Sequence, residues 1–212
     1  MTSAHSTHGG NMQTNKNDRQ LEMADESMEA ILSNVNYVYI DGSFNEATKT
    51  YGAGGIMRCT DPDTGERCEW TFQTDGNDPS IASMRNVAGE LLGAQCAIHI
   101  ADTLKLDNLF ILHDYSGIRH FADKNWNSDN PYIQEYTKFV NEMREKMAIY
   151  FVQVHGHVGI DGNEYADHLA KLAVGIDKMT DEDILPKDGR RVHYPWYNPK
   201  MELQSPYVKL PL

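Results

Sequence analysis

The sequence predicts an α/β fold in which a mixed five-stranded sheet is flanked by helices. Short apolar runs of strand length alternate with longer segments whose apolar residues recur at helical spacing. Early in the chain, the turn-forming segment 61–66 separates two such runs, which indicates an antiparallel hairpin before the alternation begins. The predicted element order is βββαβααβα, and a hairpin unit followed by alternating elements is typical of a mixed sheet.

The first half of the predicted fold consists of three strands and one helix. The first strand is a β-branched and aromatic run that ends at Asp41. A proline and a serine at 79–80 mark the start of the helix, which runs through Glu90 with a stripe of apolar residues. The predicted strands are 37–40, 54–58 and 68–74, and the predicted helix is 79–104.

The second half alternates strands with helices. An apolar strand ends just before Asp114, and Asn130 followed by Pro131 marks the start of a later helix. The predicted strands are 108–112 and 148–154, and the predicted helices are 117–122, 131–147 and 162–174.

The sequence divides into three regions. Residues 1–34 are polar and are expected to form a flexible N-terminal tail. Residues 35–175 carry the predicted elements and are expected to form the folded domain. Residues 176–212 are rich in proline, which excludes a long helix, and in aromatic residues, which are expected to pack on the domain.

Composition is that of a globular chain, with 212 residues, 40% hydrophobic and 24% charged. One compact domain with two appendages is therefore expected, and we expect it to be a monomer. The sequence has no apolar run of membrane-spanning length, and its N-terminal twenty residues lack the apolar core of a secretory signal. No membrane partner is expected, and the expected location is cytoplasmic.

Three cysteines occur, Cys59, Cys68 and Cys96. Their odd number and the absence of a CxxC spacing argue against a disulfide framework and against a zinc site. Reduced, structural cysteines are the expectation.

The formal net charge of −12 argues against a nucleic-acid partner, because such binders usually neutralise phosphates with basic residues. Carboxylates that hold divalent cations offer another route, since they attract phosphate through the metal. A metal site is therefore one way to reconcile the acidic balance with a nucleic-acid partner.

Four carboxylates are candidates for such a site. Asp41 and Asp114 each follow an apolar strand, where open α/β sheets bind ligands. Glu90 follows Gly89 inside a helix, and a helical glycine indicates close packing on the sheet. Asp167 lies on the last helix. Each has a plainer interpretation, a turn-starting aspartate or a solvated helix face, but Mg²⁺ requires such oxygen ligands.

Four segments, in this order, resemble the signature blocks of type 1 ribonuclease H. They are 39–43 (YIDGS), 85–91 (RNVAGEL), 113–118 (HDYSGI) and 154–170 (VHGHVGIDGNEYADHLA). The resemblance extends over about 37–174 and excludes both tails. It implies the ribonuclease H-like fold, a mixed five-stranded sheet whose first three strands are antiparallel.

The resemblance also implies an activity and a set of site residues. The activity is endonucleolytic hydrolysis of the RNA strand of RNA–DNA hybrids, using two Mg²⁺ or Mn²⁺ ions with substrate bound and leaving 5′-phosphate and 3′-hydroxyl ends. His157 would assist proton transfer or product release, and Asn86 would contact the RNA 2′-hydroxyl. The implied metal ligands are Asp41, Glu90, Asp114 and Asp167, and the other implied substrate contacts are Gly42, Ser43, Asn45, Ser116 and Asn163.

Two departures from the family pattern stand out. Ala47 occupies the position where many members carry a substrate-binding asparagine, so that Asn45 is the nearest equivalent. The segment 119–130 contains Lys124 and Trp126 but lacks the cluster of lysines that forms a basic handle in well-known members. Two alternatives stay open, a nuclease of the same fold acting on another nucleic-acid structure and a non-catalytic nucleic-acid-binding module.

Overall fold

The computed structural model describes residues 31–154, 161–178 and 191–194, the last of these by backbone alone. The strands are β1 (Tyr37–Asn45), β2 (Thr50–Thr60), β3 (Arg67–Gly76), β4 (Asn108–His113), β5 (Ala148–Gln153) and β6 (Arg191–Tyr194). The helices are α1 (Pro79–Ala82), α2 (Asn86–Thr103), α3 (Gly117–Ala122), α4 (Pro131–Met143) and α5 (Asp161–Ala173). Within the described ranges, no helix has the length and apolar character needed to cross a membrane.

One sheet contains all six strands in the order β5-β4-β1-β2-β3-β6. The strands β1, β2 and β3 are antiparallel, whereas β4 runs parallel to β1 and β5 runs parallel to β4. The predicted mixed five-stranded sheet is thereby confirmed. The sixth strand was not predicted, because it is four residues long and lies in a proline-rich segment; it pairs parallel to β3.

Apolar residues cover both faces of the sheet. Successive side chains of a strand point to opposite faces, and β1 shows this alternation. Val38 and Ile40 pack with residues of α2 and α4 in the larger core cluster. Tyr37 and Tyr39 pack in a second cluster that includes Ala166 of α5. The helices α2 and α5 therefore lie on opposite faces of β1.

Glycines allow both helices to approach the sheet more closely than larger residues would. A Cβ atom on Gly42 would lie 2.5 Å from the backbone nitrogen of Glu90, and one on Gly89 would lie 2.8 Å from the Cα atom of Gly42. On the other face, a Cβ atom on Gly54 would overlap the carbonyl oxygen of Ala166. The close packing expected from Gly89 is thus confirmed.

Strand β1 is longer than predicted and does not end at Asp41. It continues to Asn45 because β2 keeps pairing with it, with Asp41 opposite Gly54. Its parallel pairing with β4 extends only to Tyr39, opposite Leu112. Asp41 therefore lies just beyond the β1–β4 pairing, near the point where the chain leaves β4.

The predicted helix 79–104 is two helices. It starts at Pro79 as predicted, but α1 has only four residues. Arg85, immediately before the second helix, has a positive φ of 57°, so it cannot belong to a continuous right-handed helix. Its guanidinium group forms an ion pair with Glu46. The second helix begins at Asn86, so that this residue lies at a helix N-terminus, one turn before Glu90.

Candidate active site

Three carboxylates from different parts of the sequence converge at one edge of the sheet. Asp41 comes from β1, Glu90 from α2 and Asp114 from the residue after β4. One oxygen of each lies within 4.8 Å of the others, close enough to bind a single metal ion together. The structure thus brings together three of the four predicted ligands.

The position of Asp114 is fixed by buried neighbours. His113, which is fully buried, contacts the carbonyl oxygen of Tyr115 through Nδ1 at 3.0 Å. Burial lowers the pKa of His113 to about 4. The neutral ring therefore donates from Nδ1 to that carbonyl at neutral pH. Gln153 of β5 donates from Nε2 to the carbonyl oxygen of Asp114 at 3.1 Å. These bonds hold the loop after β4.

Glu90 is held inside the protein by the close approach of α2 to β1. It is buried, and its Oε1 atom accepts a hydrogen bond from the backbone nitrogen of Gly42 at 3.2 Å. The same N–H group lies 2.7 Å from Oδ1 of Asp41. The other oxygen of Glu90, Oε2, is buried and receives no hydrogen bond from an N–H or O–H group of the described residues.

Burial and mutual repulsion raise the pKa values of two of these carboxyl groups. Desolvation raises the pKa of Asp41 to about 6, partly offset by a hydrogen bond with Glu90 and reinforced by the charges of Asp114 and Asp167. Desolvation, followed by the charge of Asp41, raises the pKa of Glu90 well above its usual range. In the absence of a cation, protonation of one of the two carboxyl groups would relieve this repulsion.

This arrangement fits a divalent cation. Carboxylate oxygens are the ligands that Mg²⁺ and Mn²⁺ prefer, and few protein ligands are needed because water and phosphate complete the shell. The buried Oε2 atom of Glu90 has no hydrogen-bond partner among the described residues. Burying an unpaired polar atom is unfavourable in free energy, and a bound cation would remove this penalty. The residues that could hold the cation are Asp41, Glu90 and Asp114.

The metal-free protein should lose stability as the pH rises through the pKa of Asp41. A folded-state pKa of about 6 exceeds the unfolded value near 4, so the stabilising contribution is complete below pH 4 and is lost by about pH 6. The loss attributable to Asp41 is about 3 kcal/mol at most. Glu90 changes stability in the same direction. In EDTA, Asp41→Asn should therefore raise the free energy of unfolding at pH 7.

The measurement is chemical denaturation of wild type and variant at pH 4 and pH 7. Asp63→Asn, in the exposed turn between β2 and β3, serves as the matched control and should follow the wild type. A metal-free Asp41→Asn protein that is less stable than wild type at pH 7 would contradict the expectation.

Asp167 lies beside this cluster but forms a contact of its own. Lys171, one turn later on α5, donates from Nζ to Oδ2 of Asp167 at 2.6 Å. The charge of Asp167 contributes to the raised pKa of Asp41. The pKa of Lys171 is raised first by the hydrogen bond that its ammonium group donates to Asp167, and to a smaller extent by the charge of Asp41. The charges of the three groups therefore influence one another, although Asp167 is not one of the three carboxylates whose oxygens lie within 4.8 Å of one another. Sequence reasoning missed Lys171, although its spacing of four residues from Asp167 was a visible signal.

The predicted substrate contacts near β1 differ in how available their side chains are. Asn86 is exposed at the start of α2, and the backbone of Gly42 and the buried Ser43 pack against that helix. Asn45 is already engaged, because its amide nitrogen donates to the carbonyl of Val174 and its amide oxygen accepts two backbone N–H groups. A substrate contact by Asn45 would have to break these bonds.

The remaining predicted contacts lie on the loops and helices around the site. Ser116 precedes α3 and is half-buried, and it makes no capping hydrogen bond with that helix. Asn163 is buried in the first turn of α5, and its amide oxygen has no partner among the described residues. His157 lies outside the described residues.

Comparison with known proteins identifies the family of this chain. The strand order, with three carboxylates at one edge of the sheet, is that of the ribonuclease H fold class. Residues 33–175 match the sequence profile of the RNase H family, and the chain belongs to this family. No curated protein matched the chain.

Two solved structures illustrate the similarity. RNase H1 from the halophilic archaeon Halobacterium salinarum NRC-1 superposes with a TM-score of 0.50 and 17% identity, covering 68% of this chain and all of that one. LC9-RNase H1, a type 1 RNase H with the type 2 active-site motif, gives a TM-score of 0.50 and 21% identity, covering 66% of this chain and 72% of that one. Both show a shared fold.

Proposed function

We propose that this protein hydrolyses the RNA strand of RNA–DNA hybrids, leaving 5′-phosphate and 3′-hydroxyl ends. The observation that carries the proposal is the convergence of Asp41, Glu90 and Asp114 within 4.8 Å at the sheet edge. Membership of the RNase H family supports the substrate class. Two divalent cations, Mg²⁺ or Mn²⁺, are proposed as cofactors, with Asp167 completing the ligand set.

When bound, divalent cations supply a lowered pKa for the attacking water and charge stabilisation for the scissile phosphate. The protein's part is to fix the ligands. The N–H group of Gly42 orients both Asp41 and Glu90, and the bonds made by His113 and Gln153 fix the loop of Asp114. With these positions set, the carboxylates need little rearrangement to receive the cations.

Recognition of RNA is proposed for Asn86. Its side chain is exposed at the N-terminus of α2, one turn before Glu90, and so lies near the carboxylates. An amide can donate to or accept from a ribose 2′-hydroxyl, the group that distinguishes RNA from DNA.

The region in place of a basic handle offers little attraction for phosphate. A groove of about 610 Å³ runs beside α4, next to Trp126, which is 44% exposed and stacks on His120. Its charged lining residues are of both signs: Lys124, Lys138, Asp129, Glu142 and Glu145. We therefore expect hybrid capture to depend mainly on the carboxylate site and its metal.

The test is cleavage of end-labelled duplexes of one sequence. RNA–DNA hybrid should be cut in Mg²⁺ and not in EDTA, whereas double-stranded RNA, double-stranded DNA and single strands should remain intact. The ends are identified by ligation and by phosphatase treatment. Preferential cleavage of a different structure would assign the site to another nuclease activity, and binding without cleavage in Mg²⁺ and Mn²⁺ would indicate a non-catalytic module.

His157 is proposed to assist proton transfer or product release. A histidine that acts after binding should affect turnover more than affinity. His157→Ala is expected to lower kcat by about tenfold or more while KM changes little. His155→Ala, two residues away, is the matched control. A change confined to KM would make His157 a binding residue instead.

Lys171 should oppose metal binding, because its ammonium group contacts Asp167 and lies near Asp41. Lys171→Met removes a positive charge while retaining most of the side-chain volume. Mn²⁺ affinity, measured by calorimetry without substrate, is expected to rise by about fivefold, which corresponds to about 1 kcal/mol for a partly exposed pair. Lys178, which is exposed after the end of α5, provides the control, and Lys178→Met should leave the Mn²⁺ affinity unchanged. Equal or weaker Mn²⁺ binding by Lys171→Met would show that the ammonium group does not compete.

A further inference from the structure

A pair of cysteines faces each other across the hairpin of β2 and β3. Cys59 and Cys68 are direct register partners, and their Sγ atoms are 3.5 Å apart. Antiparallel partners have Cα atoms about 4.5–5.5 Å apart, within the range of about 4.4–6.8 Å that disulfides span. A bond between the two sulfur atoms therefore requires side-chain rotation and little backbone movement.

The surroundings of the pair make its two thiols unequal. Cys59 is fully buried, whereas Cys68 is half-buried. The indole nitrogen of Trp70 donates to Sγ of Cys68 at 3.1 Å, and the thiol of Cys59 can donate to the same atom. The pKa of Cys68 is lowered to about 7, mainly by the hydrogen bond from Cys59 and to a smaller extent by that from Trp70. Partial burial of Cys68 opposes this shift but does not cancel it. The hydrogen bond with Cys68, together with burial, raises the pKa of Cys59.

Cys68 is therefore both the more nucleophilic and the more accessible of the two cysteines. A thiolate is the reactive form of cysteine, and donors that stabilise it favour reaction near neutral pH. Cys68 meets this condition, and a second thiol lies within reach to resolve a product formed on it. Cys96, in contrast, is fully buried in α2, and burial raises its pKa.

We propose that Cys59 and Cys68 are a redox-active dithiol, which a small disulfide of the glutathione type oxidises to a cross-strand disulfide. The Cys68 thiolate attacks one sulfur of the oxidant, which forms a mixed disulfide and releases one thiolate. Cys59 then gives its proton to the released thiolate or to water, and attacks Sγ of Cys68. The second thiol leaves as the cross-strand bond forms. Two protein thiols are oxidised and the oxidant is reduced to two thiols.

The disulfide would lie away from the carboxylates. Asp41 is opposite Gly54 on β2, and Cys59 is five residues further along that strand, toward the turn that joins β2 to β3. The bond would close the short loop between the two cysteines and restrict the unfolded chain. Oxidation is therefore expected to raise the thermal midpoint of the protein.

The test uses the reduced full-length chain and oxidised glutathione. After the remaining free thiols are alkylated, the intact mass should show that only one of the three cysteines carries the alkyl group and that no glutathione is attached. Peptide mapping should join Cys59 to Cys68. Cys96→Ala is the matched control and should behave as wild type. Cys59→Ala should retain glutathione on Cys68, and Cys68→Ala should react at least tenfold more slowly.

The proposal is overturned by a stable glutathione adduct on the wild type, by a bond that includes Cys96, or by three unreacted thiols. Mapping of the wild type decides between these results even if Cys59→Ala fails to fold, because it requires no variant. Hybrid cleavage is not used as a readout, so the outcome is independent of the proposed function.

Discussion

Asp114→Asn and Asp41→Asn are each expected to lower kcat for hybrid cleavage by at least about a hundredfold. Both carboxylates belong to the three-oxygen cluster, and an amide retains the shape of the side chain while removing the charge that attracts a cation. Metal-based charge stabilisation contributes several kcal/mol to such a transition state, and each 1.4 kcal/mol is about a tenfold change in rate. The measurement is single-turnover cleavage of a labelled hybrid in saturating Mg²⁺.

The strand β4 offers a matched control for this experiment. Asp107 immediately precedes β4 and is exposed, whereas Asp114 immediately follows it. Asp107→Asn should therefore cleave at the wild-type rate. Activity within a few-fold of wild type in both Asp41→Asn and Asp114→Asn would exclude the proposed metal site, provided that circular dichroism shows all variants folded.

Gly89→Ala is expected to destabilise the protein by about 2–4 kcal/mol, corresponding to a fall in thermal midpoint of about 10 °C. The added methyl group would overlap the carbonyl oxygen of Gly52 and lie 2.8 Å from the Cα atom of Gly42 and 3.0 Å from the nitrogen of Ser43. These are backbone atoms of a central strand pair, which cannot move aside as the end of a side chain could. The helix would have to shift, and Glu90 would shift with it.

Gly93 on the same helix provides the control for Gly89. A Cβ atom there would meet side-chain carbons of Ile40 and Ala53 at 3.4 Å and 3.5 Å, which is close to ordinary contact. Alanine also favours a helix over glycine by about 1 kcal/mol. Gly93→Ala should therefore remain within about 1 kcal/mol of wild type in denaturant unfolding. Similar stabilities for the two variants would show that α2 does not depend on the small residue at 89.

The order of the elements along the chain and the mixed five-stranded sheet were accessible from the sequence, but the full length of β1 and the break between α1 and α2 were not. Short apolar and β-branched runs, bounded by turn signals, located every strand of the five-stranded sheet. It could not show that β1 continues through Asp41, because the pairing that extends it comes from β2 rather than from its own residues. The break at Arg85 has no glycine or proline to mark it, so the residue pattern could not reveal the positive φ that separates α1 from α2.

The four signature blocks named four candidate carboxylates, and three of them, Asp41, Glu90 and Asp114, converge in the structure. Their surroundings depend on contacts distant in sequence and could not be predicted. Gln153 supports Asp114 from 39 residues away, and the backbone of Gly42 orients Glu90 from 48 residues away. The engagement of Asn45 with Val174, across 129 residues, likewise could not be anticipated.

In the proposed metal site, the placement of Glu90 has a consequence for how affinity for a cation would arise. Its backbone lies in an 18-residue helix whose buried face packs on the central strands, so its position is set by global folding rather than by a mobile loop. The conformational entropy of ordering this side chain is therefore lost when the chain folds, and binding of the proposed cation does not have to supply it again. Repulsion between the carboxylates lowers the stability of the metal-free fold. Because the fold holds them together nevertheless, the carboxylates are already in position before a cation would bind.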